Sequence, residues 1–305
     1  MQGILSINAL ILPLSREADL MPKLQLSFHG TFALKKEDIL KILKAAAEEQ
    51  GLRSSTEGLS KEESDKELSR RTNLGVPKLR MRGWTSRSGL VANDFLSPEG
   101  KLVLEKDPYL ETSLTNWLMH FYLSLGDKGL QTPPITPADW GGWTYFIYTF
   151  LPQYRTFTSD DLVHTSALVF EQETTRNLTK NFKMALRAYT EDSALGNCKF
   201  LIQEDNQYIA GHANLPNPYL VGYFLAKLWE RDFQDAKSAL TESILNHPMG
   251  LAPVLGISAT ATQEQLNTLE SYGIIEQRRA VPPSQVIPRW DSPLTLLEKA
   301  YDSDL

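Results

Sequence analysis

Apolar positions along the chain switch between helical and strand spacing, with turn residues marking the changes. After Pro22, Leu24-Gln-Leu-Ser-Phe28 alternates at the two-residue period of a strand, and His29-Gly-Thr-Phe32 forms the turn that follows. Glu37 to Gln50 places Ile39, Ile42, Leu43 and Ala46 on one face of a helix that Gly51 stops. Ser60, three residues before Glu63, caps a further helix running to about Arg71. Asn73-Leu-Gly-Val-Pro77 is a break, and Pro77 suits the first turn of a second helix, Pro77 to about Arg87, closed by Gly89. Leu90, Val91 and Phe95, followed by Leu96 to Leu104 with a central turn, predict a small hairpin. Helix, short turn, helix and hairpin is the order of a winged helix-turn-helix.

The pattern then repeats its order without a fixed period. Asp107 to Leu125 predicts a buried helix, and Gly126–Trp140 is a Gly- and Pro-rich boundary. Trp143 to Leu151 is a strongly aromatic helix, for which burial is a better reading than an exposed ligand box. Thr158 caps a helix from Ser159 to Phe170, and Thr174-Thr-Arg176 opens another through Tyr189. Phe200–Ile202 and Gln207–Ile209 pair as a hairpin around Glu204-Asp-Asn206. Helices are predicted over Pro218–Asp232, Phe233–Leu245, Thr262–Tyr272 and Leu294–Tyr301, the third ended by Gly273, with a Pro-rich surface crossing over Pro282–Pro293. The expected fold is mainly α with small β hairpins (α+β), in tandem winged-helix-like units. Its divisions are an N-terminal extension at 1–23, a first winged-helix-like domain at 24–125, a second at 140–215 and a C-terminal helical or winged-like region at 216–305.

Composition places the chain among globular proteins, since 42% of residues are hydrophobic and 22% charged. Ile4–Leu14 is the one apolar stretch with a targeting look; it has no basic flank and is too short to span a bilayer, so it reads as a first strand or a loose extension. A cytoplasmic location is expected, with no membrane association. The single Cys198 excludes an intrachain disulfide framework and an all-cysteine metal site, and reads as an inert thiol.

Charge alters the picture more. The net charge is −6, yet Leu68–Asn93 holds Arg70, Arg71, Lys78, Arg80, Arg82 and Arg87 with no carboxylate among them. A basic island in an acidic chain attracts a polyanion locally. On a helix from Pro77 to Arg87, Lys78, Arg82 and Ser86 form an i, i+4 stripe while Leu79 and Trp84 turn to the core. Arg80, Arg82 and Arg87 are therefore the candidates for facing a DNA groove. Arg70, Arg71, Thr72, Asn73 and Lys78 are the candidates for phosphate. The bland alternative is a solvated basic face.

An enzyme reading has less support. His29, His120, His164, His212 and His247 are scattered, without a metal-ligand spacing or a Gly-rich phosphate loop. Asp160 and Asp161 beside His164 are accounted for by a helix start, where acidic residues complement the dipole. His29 among Phe28 and Phe32 reads first as a core imidazole and second as a possible additional site. No catalytic residue, cofactor or metal is expected.

Several segments together resemble the bacterial domain-of-unknown-function family 4007. They are His29-Gly-Thr-Phe32, Leu74-Gly-Val76 with the basic helix and Trp84, Leu96-Ser-Pro-Glu-Gly100, Asp107-Pro-Tyr-Leu110, Trp117-Leu-Met-His120, Trp143-Thr-Tyr-Phe146 and Phe157-Thr158, in order over roughly Leu24 to Tyr301. The resemblance implies winged-helix character and a place beside phosphoadenosine-phosphosulfate-reductase-like proteins in DNA modification or anti-phage defence. It supplies no catalytic residues. Gly30 stands where the family has an acidic residue, and the polar insertion around Arg53–Ser64 is longer than the family's. The expected function is binding of double-stranded DNA through the basic helix in a modification, defence or regulatory system, with modification or defence proteins as partners and a homodimer in keeping with the architecture. The alternative is a non-catalytic adaptor or scaffold subunit.

Overall fold

The computed structural model describes residues 21–53, 60–126, 129–211, 213–280 and 282–303. The expectations for Ile4–Leu14, for part of the polar insertion and for His212 lie outside the described residues. Within them the protein is helix-rich with three small antiparallel sheets, in line with the expected α+β class.

The first block begins with α1 (Lys36–Ala46) and α2 (Lys61–Thr72). Ser60 and Glu63 form the expected capping box, the Glu63 carboxylate accepting the Ser60 N–H at 2.9 Å. Asn73 ends α2 in the left-handed region at φ 53°, a conformation asparagine tolerates well. The basic segment is then not one α-helix. Val76–Arg80 is a tight 3-10 turn, in which the Lys78 N–H donates to the Gly75 carbonyl, and α3 (Met81–Arg87) continues from it.

The hairpin is also shorter than expected. β1 (Val91–Ala92) pairs with β2 (Phe95–Leu96) across Asn93-Asp94, both at positive φ as a two-residue hairpin turn requires. Pro98, read as the turn of a hairpin, instead opens α4 (Pro98–Lys106) behind the Ser97 cap. Gly100 is there because the helix lies against β1: a Cβ would sit 1.9 Å from the Leu90 carbonyl oxygen.

α5 (Ser113–Ser124) starts later than its apolar pattern suggests. The Asp107 carboxylate accepts the N–H groups of Glu111 and Thr112 and the hydroxyls of Thr112 and Thr115, closing a turn ahead of the helix. Nearly all of α5 is buried, as a helix with apolar residues on every face should be.

The second and third blocks share an element order. In the second, α6 (Gly142–Tyr145), a π turn (Phe146–Phe150) and α7 (Leu151–Gln153) make one rod, and then come β3 (Thr156–Phe157), α8 (Ser159–Ala167), α9 (Thr175–Thr190), β4 (Leu201–Glu204) and β5 (Gln207–Ala210). In the third, α10 (Pro218–Asp232) is followed by β6 (Ala239–Leu240), α11 (Thr241–Leu245), α12 (Leu251–Leu255), α13 (Ala259–Ser271), β7 (Ile275–Arg278), β8 (Gln285–Pro288) and α14 (Pro293–Asp302). The sheets are ordered β3-β5-β4 and β6-β8-β7, so in each the last strand lies between the other two.

Three local expectations fail in the third block. Phe233–Leu245 is a turn, a strand and a short helix, not one helix. α13 is capped by Ser258, with Thr262 buried inside it and bonded back to the Ser258 carbonyl. The Pro-rich crossing carries β8, whose pairing with β6 and β7 accounts for its apolar Val286. The aromatic segment around Trp143 is buried, as expected.

One contiguous apolar core runs through all three blocks, with α5 at its centre. The Trp117 indole donates to the Asn214 carbonyl at 2.8 Å, and the Tyr122 and Tyr223 hydroxyls both donate to Glu99 at 2.9 Å.

Candidate nucleic-acid interface

The six cations of the island divide according to what the fold offers each. Arg71, on α2, is drawn inward: its guanidinium donates to the carbonyls of Ala45, Gly51 and Arg53 and pairs with Glu48 at 2.7 Å. Its side chain is 9% exposed, so the expected phosphate contact is replaced by a brace between α1 and α2. Thr72 is buried too, its hydroxyl donating to the Leu68 carbonyl at 2.8 Å, and it is likewise removed from the phosphate set.

Arg87 does not face a groove. Its guanidinium lies over the Phe28 ring at 4.6 Å, and burial lowers its pKa to about 10, which leaves it charged at neutral pH. Arg82 is half-buried and held by Asp94 at 3.3 Å and Asp65 at 4.0 Å. It links α3, the hairpin and α2.

Arg70, Asn73, Lys78 and Arg80 are exposed. Lys78 is paired with Asp38 at 3.3 Å and keeps 46% of its side chain in solvent. Among the described residues neither Arg70 nor Arg80 has an ion pair or a side-chain hydrogen bond. Arg80 stands at the end of the 3-10 turn beside the His29–Gly30 turn, where a Cβ on Gly30 would lie 3.5 Å from its Cγ. It also lines an open cleft of about 450 Å³ between the start of α2 and α3, with Lys61 and Asp65 on the facing wall.

His29 is fully buried, against its reading as a possible additional site. Nδ1 donates to the Gly30 carbonyl at 2.9 Å, the ring stacks on Trp84 at 5.9 Å, and burial lowers its pKa, so it is a neutral core imidazole. Asp161 serves in the capping box of α8 with Thr158. The Cys198 thiol donates to the Leu195 carbonyl at 3.0 Å, and burial pushes its pKa up to about 12. No group of three or more His, Cys, Asp or Glu side chains converges as a metal site among the described residues.

One cationic surface escaped the sequence reading. On α9, Arg176, Lys180 and Lys183 are exposed at i, i+4 and i+7, and Arg187 continues the line half-buried. The spacing was visible in the sequence, but these cations are interleaved with apolar residues and do not form a compositional island.

No family model matches the chain, and no curated protein matches it in sequence. Two solved structures do match in shape, one described as an SspB crystal structure and the other as SspB with a bound magnesium ion. Each superposes with a TM-score of 0.65 at 16% identity, over 91% of this chain and 87% of the other. This chain shares its fold with SspB. The likeness extends across all three blocks, since it covers nearly the whole described length, and at this identity it concerns the fold alone.

Proposed function

We propose that this protein binds double-stranded DNA through the surface formed by the end of α2 and the 76–80 turn, as a component of a DNA modification, anti-phage defence or regulatory system. The observation that carries the reading is the exposure of Arg70, Asn73, Lys78 and Arg80, with neither guanidinium in an ion pair among the described residues. Such groups bind phosphate by charge-assisted hydrogen bonds and release the counterions condensed on it. Arg80 and Asn73 are the base-reading candidates, because guanidinium pairs with guanine and a carboxamide with adenine in the major groove. Lys78 joins them by exchanging Asp38 for phosphate, whereas Arg82 stays with Asp94.

A winged-helix reading supports the assignment. α2, the 76–80 turn, α3 and a short hairpin follow one another in the first block, the order that a winged helix-turn-helix uses, and in the second and third blocks a further strand pairs with the hairpin's last strand. The segments resembling family 4007 point the same way. The test is duplex retention in a gel shift at moderate salt by the Arg70→Glu/Arg80→Glu variant. Loss of retention with an unchanged thermal transition is the expected result, and full retention refutes the reading.

A further inference from the structure

We infer that the exposed face of α9 is a second duplex-DNA contact, separate from the 70–80 surface and carried by Arg176, Lys180 and Lys183. The inference rests on the DNA-binding reading of the first block and extends it to a surface that reading does not use.

α9 is the most sharply divided helix among the described residues. Leu178, Phe182, Ala185 and Tyr189 are buried on one side, while Arg176, Lys180, Lys183 and Arg187 fall within about a sixth of the circumference on the opposite side, at 100° per residue. No carboxylate interrupts the 16 residues of the helix. Of the carboxylates nearest in the chain, neither Glu171 nor Asp192 forms an ion pair with the helix among the described residues, while Glu173 accepts from Asn177 and Glu191 pairs with Arg187. Arg187 is thereby neutralised. Arg176, Lys180 and Lys183 have no ion pair or side-chain hydrogen bond among the described residues.

Topology supplies a second, independent argument. α8 and α9 are consecutive packed helices that precede the β4–β5 hairpin, and β3 pairs with that hairpin's last strand. In a unit so ordered the second helix is the one whose outer face is free to enter a major groove, which is wide enough to admit it. A helix of this length measures about 24 Å, and its cations span roughly one groove width.

The test is a salt titration of duplex binding by the full chain, by Arg176→Gln/Lys180→Gln/Lys183→Gln, and by a control removing three charges elsewhere, Lys101→Gln/Lys237→Gln/Arg278→Gln. Each phosphate contact contributes about 0.9 to the slope of log K against log salt, so the α9 variant should lose about 2 to 3 in slope and at least roughly tenfold in affinity at moderate salt. The control should change neither appreciably, and all three proteins should unfold at the same temperature. If the unaltered chain shows no salt-dependent duplex binding, the DNA reading itself falls. If it binds and the α9 variant matches it in slope, or the control loses as much as the α9 variant, the DNA reading stands and the α9 contact is refuted.

Discussion

His120 on α5 ties the second and third blocks to the centre of the molecule in a way that pH should expose. Its Nε2–H donates to the Val254 carbonyl at 2.8 Å, because a carbonyl can only accept, so Nδ1 must accept from the Tyr189 hydroxyl at 2.7 Å. That hydroxyl in turn accepts the Trp143 indole N–H at 3.0 Å. A second ring proton would force the Tyr189 hydroxyl to turn its own proton away, and the imidazolium would be buried without a counter-charge. Burial lowers the pKa to about 4 from an ordinary value of 6.5. Between those values the unfolded chain binds a proton that the folded chain refuses, so stability falls as pH falls. The linkage amounts to about 2 kcal/mol between pH 7 and pH 5 and approaches about 3 kcal/mol near pH 4. Urea unfolding at pH 7, 6 and 5 measures it, with His120→Gln as the comparison. That variant should be less stable at pH 7 and lose about 2 kcal/mol less on going to pH 5. His29 and His247, both lowered by burial, act in the same direction in both proteins and cancel in the comparison. Parallel decline of the two proteins would refute the reasoning.

Other perturbations separate structural from functional cations and test the packing. Arg71→Ala should cost about 2 to 4 kcal/mol in urea unfolding because it strands three carbonyls and Glu48, whereas Arg70→Ala, in the same helix but exposed, should stay within about 0.5 kcal/mol. Gly100→Ala should lower stability by about 2 to 3 kcal/mol, since its Cβ meets the Leu90 carbonyl and α4 has to move off β1. Ser60→Ala should cost about 1 kcal/mol and Ser60→Asp little, because aspartate keeps the cap. Equal midpoints for Arg71→Ala and Arg70→Ala would show that the brace is not structural.

The elements legible in the sequence were those with strong ends. The Ser60–Glu63 box, Thr158 before Asp161, Thr174 before α9, and Pro218 opening α10 place their helix starts to within a residue. The misreadings came where a local signal has two uses. Ser97-Pro98 serves equally as a turn and as a cap followed by the first helical residue, and only the packing of Gly100 on Leu90 selects the helix. Val76–Arg80 has helical composition, but Pro77 and the tight Gly75 turn keep it 3-10. The start of α5 depended on Asp107 folding back onto four donors, a contact that apolar periodicity does not encode. In the third block, β6 is two residues long and depends on pairing with a strand more than forty residues later.

The candidate site was legible as a charge anomaly but not as a set of contacts, and the reason is geometric. Absence of carboxylates from a window says nothing about the carboxylates at its edges. Asp94 adjoins the island and Asp65 precedes it closely, while Asp38 and Glu48 arrive through α1; together they engage Arg82, Lys78 and Arg71. Arg87 is taken by the Phe28 face. What remains is two guanidinium groups without an ion pair among the described residues, and one exchangeable lysine. With about 0.9 in salt slope per contact, such a surface supports only shallow salt dependence, short of what a protein with 6–10 phosphate contacts displays. A steeper measured slope therefore requires cations outside the island, and the line Arg176, Lys180 and Lys183 on α9 is an exposed set without ion pairs among the described residues. The slope of the unaltered chain thus discriminates before any variant is made: about 3 is the yield of the 70–80 surface alone, and about 5 needs both faces.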